Sequence, residues 1–333
     1  MEEEKSYYEI RKDLYEKYNT ILVPELGKYS KEWYDLYVKY RIRSNKDVEK
    51  GRLPLLFDFF LMCGSFYMFF YTISEAYKDP APVTFSFIMQ SVFFWIIMPA
   101  IPIYMIFVIF YDSYKRMKNL YKTIKNEVMT VTCECFPDLK YIPEGYHSSD
   151  KYKKACILPN SLSITYDDCF IGKHKDVEFV IEELKTNGLT DSFKGVSIQF
   201  KINKKFSGHT IIYPDSYLHT YPSLNLHHTE LEDVVFERKY DVYTNEDVEA
   251  RYLITPGFMK RLSNVKSTFD ADKIYAAFFE GVFYLALNTN KNFFEISSDK
   301  KICDKGMYYN MIAEIISIYK LIDHFKLDQK IGM

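Results

Sequence analysis

The chain has 333 residues with a net charge of −2, and a balance this close to neutral gives no global reason to expect nucleic acid as a partner. Aromatic residues make up 18% of it, with 30 Tyr and 27 Phe, while Gly and Pro number only 12 each. The apolar residues are segregated, much of them lying between Leu53 and Tyr111. The opening Met1-Glu2-Glu3-Glu4 is acidic where a cleavable signal peptide would be basic, so none is expected.

Two helices are predicted first, over Glu4 to Thr20 and Ser30 to Arg43, separated by Pro24 and Gly27, with Ile10 and Leu14 on one apolar stripe. Next come two apolar runs, LPLLFDFFLMCGSFYMFFYTI over about 53–73 and FSFIMQSVFFWIIMPAIPIYMIFVIFY over about 85–111. Each is long enough for a bilayer core of roughly 30 Å, which takes about 20 residues in a helix. The connection from Ser74 to Thr84 is short and polar, which predicts an antiparallel transmembrane hairpin. Lys39, Arg41, Arg43, Lys46, Lys50 and Arg52 precede the first run, and Lys115, Arg116, Lys118, Lys122 and Lys125 follow the second. The connection has Lys78 alone. Positive residues mark the cytoplasmic side, so both termini are expected in the cytoplasm and the lipid bilayer is an expected partner. The alternative is a hairpin buried inside a soluble core.

Asp58 is an ionisable residue within the first run, about a turn and a half from its cytoplasmic end. An interfacial or helix-pairing role competes there with an ion pathway. Pro99 and Pro102 remove backbone donors in the second run and are expected to bend it. Beyond it, Met117, Leu120, Tyr121, Ile124 and Val128 recur at steps of three and four, an apolar stripe on a basic stalk helix.

From Pro137 to Asp150 the composition reads as linker, after which strand-like runs dominate: Leu162 to Tyr166, Val177 to Leu184, Gly195 to Ile202 and Thr210 to Tyr213. Asn187-Gly188 and Ser207-Gly208 are turn signals between them. Asn245 is expected to cap a helix that opens with Glu246 and Asp247, and Thr255-Pro256 starts another with Pro at its first position. A hairpin follows, with strands Ile274 to Phe279 and Val282 to Leu287 around Glu280-Gly281, and an amphipathic helix closes the chain over Tyr308 to Phe325. The expected class is α+β. Its parts are N-terminal cytoplasmic helices over 1–52, a transmembrane hairpin over 53–111, a stalk helix over 112–136 and a cytosolic domain of mostly antiparallel sheet and helices over 150–330.

The stretch from Phe236 to Leu262, FERKYDVYTNEDVEARYLITPGFMKRL, resembles the signature of a bacterial membrane family catalogued as domain of unknown function 3137. Asp167-Asp168, Phe193 to Gly195, Phe206 to Gly208, the hairpin from Ile274 to Leu287 and Phe294-Glu295 also fit its pattern. The resemblance covers roughly Ser163 to the C-terminus, and Val248 to Pro256 is its specific part. It implies a two-span protein of the bacterial inner membrane with a cytosolic α+β domain and no assigned activity. It also implies a LemA-type membrane protein as an expected partner.

No sequence pattern for a hydrolase nucleophile, a Walker loop or a dinucleotide-binding loop is present. His227-His228-x-Glu230, with Glu232 and Asp233, has metal-ligand residue types but not metal-ligand spacing, and reads as a polar loop. Cys133-Glu134-Cys135 lacks a second pair, and the six cysteines do not suggest an oxidised framework in a cytosolic setting. Ser207-Gly208-His209 is a turn with no evident partner base. No metal and no cofactor are expected. The group Asp247, Glu249, Arg251 and Thr255 is the strongest local candidate for ligand or partner binding. Its structural alternative has the acids serving a helix N-terminus, Arg251 paired with an acid, and Thr255 capping the Pro256 helix.

Three functions remain. The first is a membrane-anchored scaffold or regulator that binds a protein or small ligand without catalysis. The second is a subunit of an oligomeric channel or transporter, which needs homo-oligomerisation because two spans cannot enclose a path. The third is an enzyme with an unfamiliar site in the cytosolic domain.

Overall fold

The computed structural model describes residues 6–41, 74, 98–146, 148–158, 163–187, 192–215, 225–296 and 305–329. The expected first span, with Asp58, and the second as far as residue 97 lie outside them. Among the described residues no helix is long and apolar enough to cross a membrane.

The chain divides into two compact units. One comprises Met1–Val23, Asn126–Ser297 and Cys303–Met333, and the other Pro24–Lys125 and Ser298–Ile302. Helix α1 (Tyr7–Lys17) opens with a reciprocal capping box between Ser6 and Glu9 and buries Ile10 and Leu14 on its expected stripe. A π-helical turn, Tyr18–Leu22, leads directly into α2 (Val23–Arg41). The break expected at Pro24 and Gly27 is absent. The wider π turn sits just before Pro24, where it relieves the clash between the proline ring and the carbonyl one turn back, and the helix continues. Helix α3 (Met98–Cys133) begins with the last part of the second apolar run and includes the stalk in the same helix. Ile124 and Val128 are fully buried on it. Lys115, Arg116, Lys118 and Lys122 are exposed, whereas Lys125 is buried, its ammonium 5.6 Å from the centre of the Tyr121 ring.

The larger unit is α+β, as expected. Nine described strands form one antiparallel sheet: β1 (Lys140–Ile142), β2 (Ser163–His174), β3 (Val177–Asn187), β4 (Lys194–Lys201), β5 (Thr210–Pro214), β6 (His227–His228), β7 (Tyr240–Thr244), β8 (Lys273–Phe279) and β9 (Val282–Asn288). Their order is β1-β2-β3-β4-β9-β8-β5-β7-β6. Hairpin β8–β9 turns on Glu280-Gly281, both at positive φ, as the sequence predicts. The β2–β3 hairpin turns on Lys175-Asp176, at φ 47° and 64°. The four short helices and the last long one are α4 (Ser149–Ala155), α5 (Val234–Glu237), α6 (Asp247–Leu253), α7 (Pro256–Thr268) and α8 (Lys305–Phe325). Helix α4 begins within the stretch whose composition reads as linker, because only Tyr152 and Ala155 on it are buried and its other positions are polar.

The two sheet faces are packed differently. On one, Phe179, Phe200, Phe283 and Phe278 stand in direct register across β3, β4, β9 and β8. Phe258 of α7 and Tyr319 and Phe325 of α8 cover them. On the other, Tyr152 and Ala155 of α4 pack with Leu184, Ile211, Tyr275, Tyr284 and Ala286. That face also buries a carboxylate: Glu182 is fully enclosed and accepts the Tyr152 hydroxyl at 2.6 Å and the Tyr146 N–H at 3.0 Å.

Candidate functional site

The four residues singled out from the sequence lie at and just after α6. Strand β7 buries Tyr240, Val242 and Thr244 by alternation. At its end the Thr244 hydroxyl accepts the Glu246 N–H at 3.1 Å, turning the chain out of the sheet. Asn245 does not cap α6. Its Oδ1 accepts the His209 N–H at 2.7 Å, and the N-cap is Glu246, which makes no side-chain cap bond. The competing interaction with the loop before β5 wins because the turn aims Asn245 there.

Helix α6 is fastened on two sides. Glu249 accepts the Ser207 N–H at 2.9 Å and that of Gly208, so the Ser207-Gly208 turn rests on a carboxylate. A methyl group at Gly208 would overlap Glu249 Oε2. Asp247 meets His227 Nε2 at 3.0 Å. The Thr229 hydroxyl, the His227 ring and the Arg251 guanidinium together hold the Asp247 carboxyl below the usual aspartate range. Ala250 and Leu253 are buried beneath the helix. Thr255 caps α7 by accepting the Phe258 N–H at 3.2 Å, with Pro256 at the first helical position. Outward, α6 presents Val248 and Tyr252, 79% and 46% exposed, with the exposed Arg251 between them in sequence.

The structure brings Asp247, Glu249 and Arg251 together on one short helix, and Thr255 serves the next. His227 and His228 lie on the edge strand β6, with His227 facing Asp247 and His228 3.9 Å from Asp241 Oδ1. They do not converge. Glu230 and Glu232 are exposed and make no described group with them, and Asp233 caps α5 through the Val235 and Phe236 N–H groups. Cys133, the last residue of α3, and Cys135, two residues beyond it, are buried thiols. Among the described residues the only close set of three potential ligands is Asp167, Asp168 and Glu183, at an irregularity in β2. Two of these are already engaged, since Asp168 accepts the Tyr141 hydroxyl at 2.6 Å and Glu183 accepts the Phe293 N–H at 3.1 Å.

One constellation has no counterpart in the sequence reading. His174, at the end of β2, lies in a cleft with Tyr7 of α1 and Asp323 of α8. The Tyr7 hydroxyl is 3.2 Å from Asp323 Oδ2 and 3.4 Å from His174 Nε2, and Lys175 Nζ is 2.7 Å from Asp323 Oδ1. Tyr7 and Asp323 lie near opposite ends of the chain and His174 near its middle, so no local spacing announces them. Asp323 is neutralised by Lys175 and shared with Tyr7, which makes the group a fastener between α1, the hairpin tip and α8 rather than an activated nucleophile.

Residues 191–327 match the family model described as protein of unknown function (DUF3137). That segment is a DUF3137 domain. It contains strands β4 to β9 and helices α5 to α8 in full, and with them Asp247, Glu249, Arg251 and Thr255. Strands β1 to β3, with His174, precede the DUF3137 segment. No curated protein matches the chain. Among solved structures, the crystal structure of the mycobacterial trehalose monomycolate transport factor A, TtfA, is similar at 7% identity. The match covers 56% of this chain and 88% of that one, with a TM-score of 0.35.

Proposed function

We propose that this is a two-span protein of the bacterial cytoplasmic membrane whose cytosolic α+β domain acts as a scaffold or regulator by binding a protein partner, without catalysis. The anchor reading rests on the two apolar runs, about 53–73 and 85–111, and on the cations that flank both but are nearly missing from the connection. The binding reading rests on α6. Its acids are spent on fastening the helix to the β4–β5 loop and to β6, and the fastened helix holds Val248 and Tyr252 out to solvent at i and i+4. A rigid apolar pair beside an exposed guanidinium loses little conformational freedom on association, which favours binding. A LemA-type membrane protein is the partner that the family resemblance suggests.

A photo-crosslinking residue placed at Val248 in the full-length protein, in cells, tests the binding role. The expected result is one dominant adduct that is lost when Tyr252 is changed to Asp. A ladder indistinguishable from that of an exposed position outside α6, such as Lys266, would overturn it. For the anchor, Asp79→Cys is expected to react with a membrane-impermeant maleimide in intact cells. Reaction only after lysis would reverse the proposed topology.

A further inference from the structure

Two cations, Lys204 and Arg261, lie close enough beside the β8–β9 hairpin to repel one another. Lys204 lies in the loop after β4, which is tied to the hairpin turn by the Ile202 N–H donating to the Gly281 carbonyl at 3.2 Å. Phe206, two residues on, packs edge-on to the Phe278 ring at 5.9 Å. Arg261 lies on α7 one turn beyond Phe258, whose ring packs on that same Phe278. The loop and the helix thus share an aromatic floor. Lys204 is only 4% exposed and its ammonium nitrogen has no hydrogen-bond partner. Arg261 Nη1 is likewise enclosed without one. His324 Nε2 donates to the Arg261 backbone carbonyl at 3.1 Å and leaves the guanidinium untouched. Burial and the neighbouring Arg261 lower the Lys204 ammonium to about 8, so it remains charged at neutral pH.

An enclosed ammonium without a partner is costly, and a second cation beside it adds to the cost. A Met at either position would occupy the space with no such penalty. What the pair lacks is an anion. A phosphate group supplies negative charge, nearly two as a free ion or monoester and one as a diester, and oxygens enough for both an ammonium and a guanidinium fork. We propose that Lys204 and Arg261 hold a phosphate-type anion, either free or soluble, or carried on a phospholipid headgroup.

The test uses the full chain in a non-ionic detergent, with phosphate-free buffer at fixed ionic strength. Its melting temperature is followed against inorganic phosphate in one arm. In the other it is followed against mixed micelles of phosphatidylglycerol, with phosphatidylcholine as control. The expected result is a saturable rise with one of the two ligands. Lys204→Met should weaken the apparent affinity at least tenfold while melting at or above the wild-type temperature without ligand. A response to phosphate assigns a free or soluble group. A response to phosphatidylglycerol, with none to phosphatidylcholine or phosphate, assigns a headgroup. No saturable response to either, or equal saturation in Lys204→Met, overturns the proposal. Phosphorus NMR of inorganic phosphate and of the lipid, each with the unmutated chain, gives a second measure that does not depend on a variant folding; no broadening of either signal counts against the site.

Discussion

Glu249 accepts the backbone N–H groups of both Ser207 and Gly208, so a side chain of α6 fixes the loop that leads into β5. A half-buried carboxylate bonded to two backbone donors contributes on the order of 1–3 kcal/mol, and its removal leaves those donors unmatched. Glu249→Ala should lower stability by about that amount in urea unfolding. Gly208→Ala should approach the same cost, because its methyl displaces the carboxylate. The double variant should cost little more than the larger single, since both changes break one interaction. Simple additivity would show that Gly208 matters for another reason.

Asp247 gives the same helix an acid-sensitive hold. Its carboxyl lies below the ordinary value of 3.8 in the folded protein, through Thr229, His227 and Arg251. A depressed folded value means that the contribution is fully present above that ordinary value and is lost as pH falls through the folded one. Wild type and Asp247→Asn are therefore expected to differ more in urea midpoint at pH 6 than at pH 3. A difference that grows on acidification would contradict the assigned pairing.

The buried thiols are expected to be inert. Burial, with Cys135 beside it, pushes Cys133 up to about 12, and burial with Glu182 does the same to Cys169. Iodoacetamide at pH 8 should leave both unmodified in the folded protein and label them once urea has unfolded it, read by mass spectrometry. Rapid labelling of either in the native protein would mean that its surroundings open readily.

The sequence makes the regular parts of this fold legible through period. Val177 to Leu184 alternates in part and lies in β3, Glu280-Gly281 turns a hairpin, and Thr255-Pro256 starts a helix where sterics allow one. Strand β6 is hidden because its two residues are histidines, which read as a polar loop, and β7 because Asp241 interrupts its short apolar signal just after Lys239. For the candidate site, the capping role of Thr255 and the charge interaction of Asp247 with Arg251 are legible from local spacing. The bond from Glu249 to Ser207 and the grouping of Tyr7, His174 and Asp323 are not, since each joins residues far apart in the chain. Asn245 shows the limit of local rules: a good N-cap residue is drawn away by a donor from another loop.

The π turn at Tyr18–Leu22 holds one residue more than an α-helix would use over the same rise. That makes the N-terminal helix sensitive to counting rather than to chemistry. Deleting a single residue within the turn would let it close to ordinary geometry with the helix before it still facing the core, whereas deleting one residue between Leu14 and the turn would rotate everything before it by about 100° around the axis. Ile10 and Leu14 would swing out of the core and Tyr7 away from Asp323, although no side chain that makes those contacts had been altered.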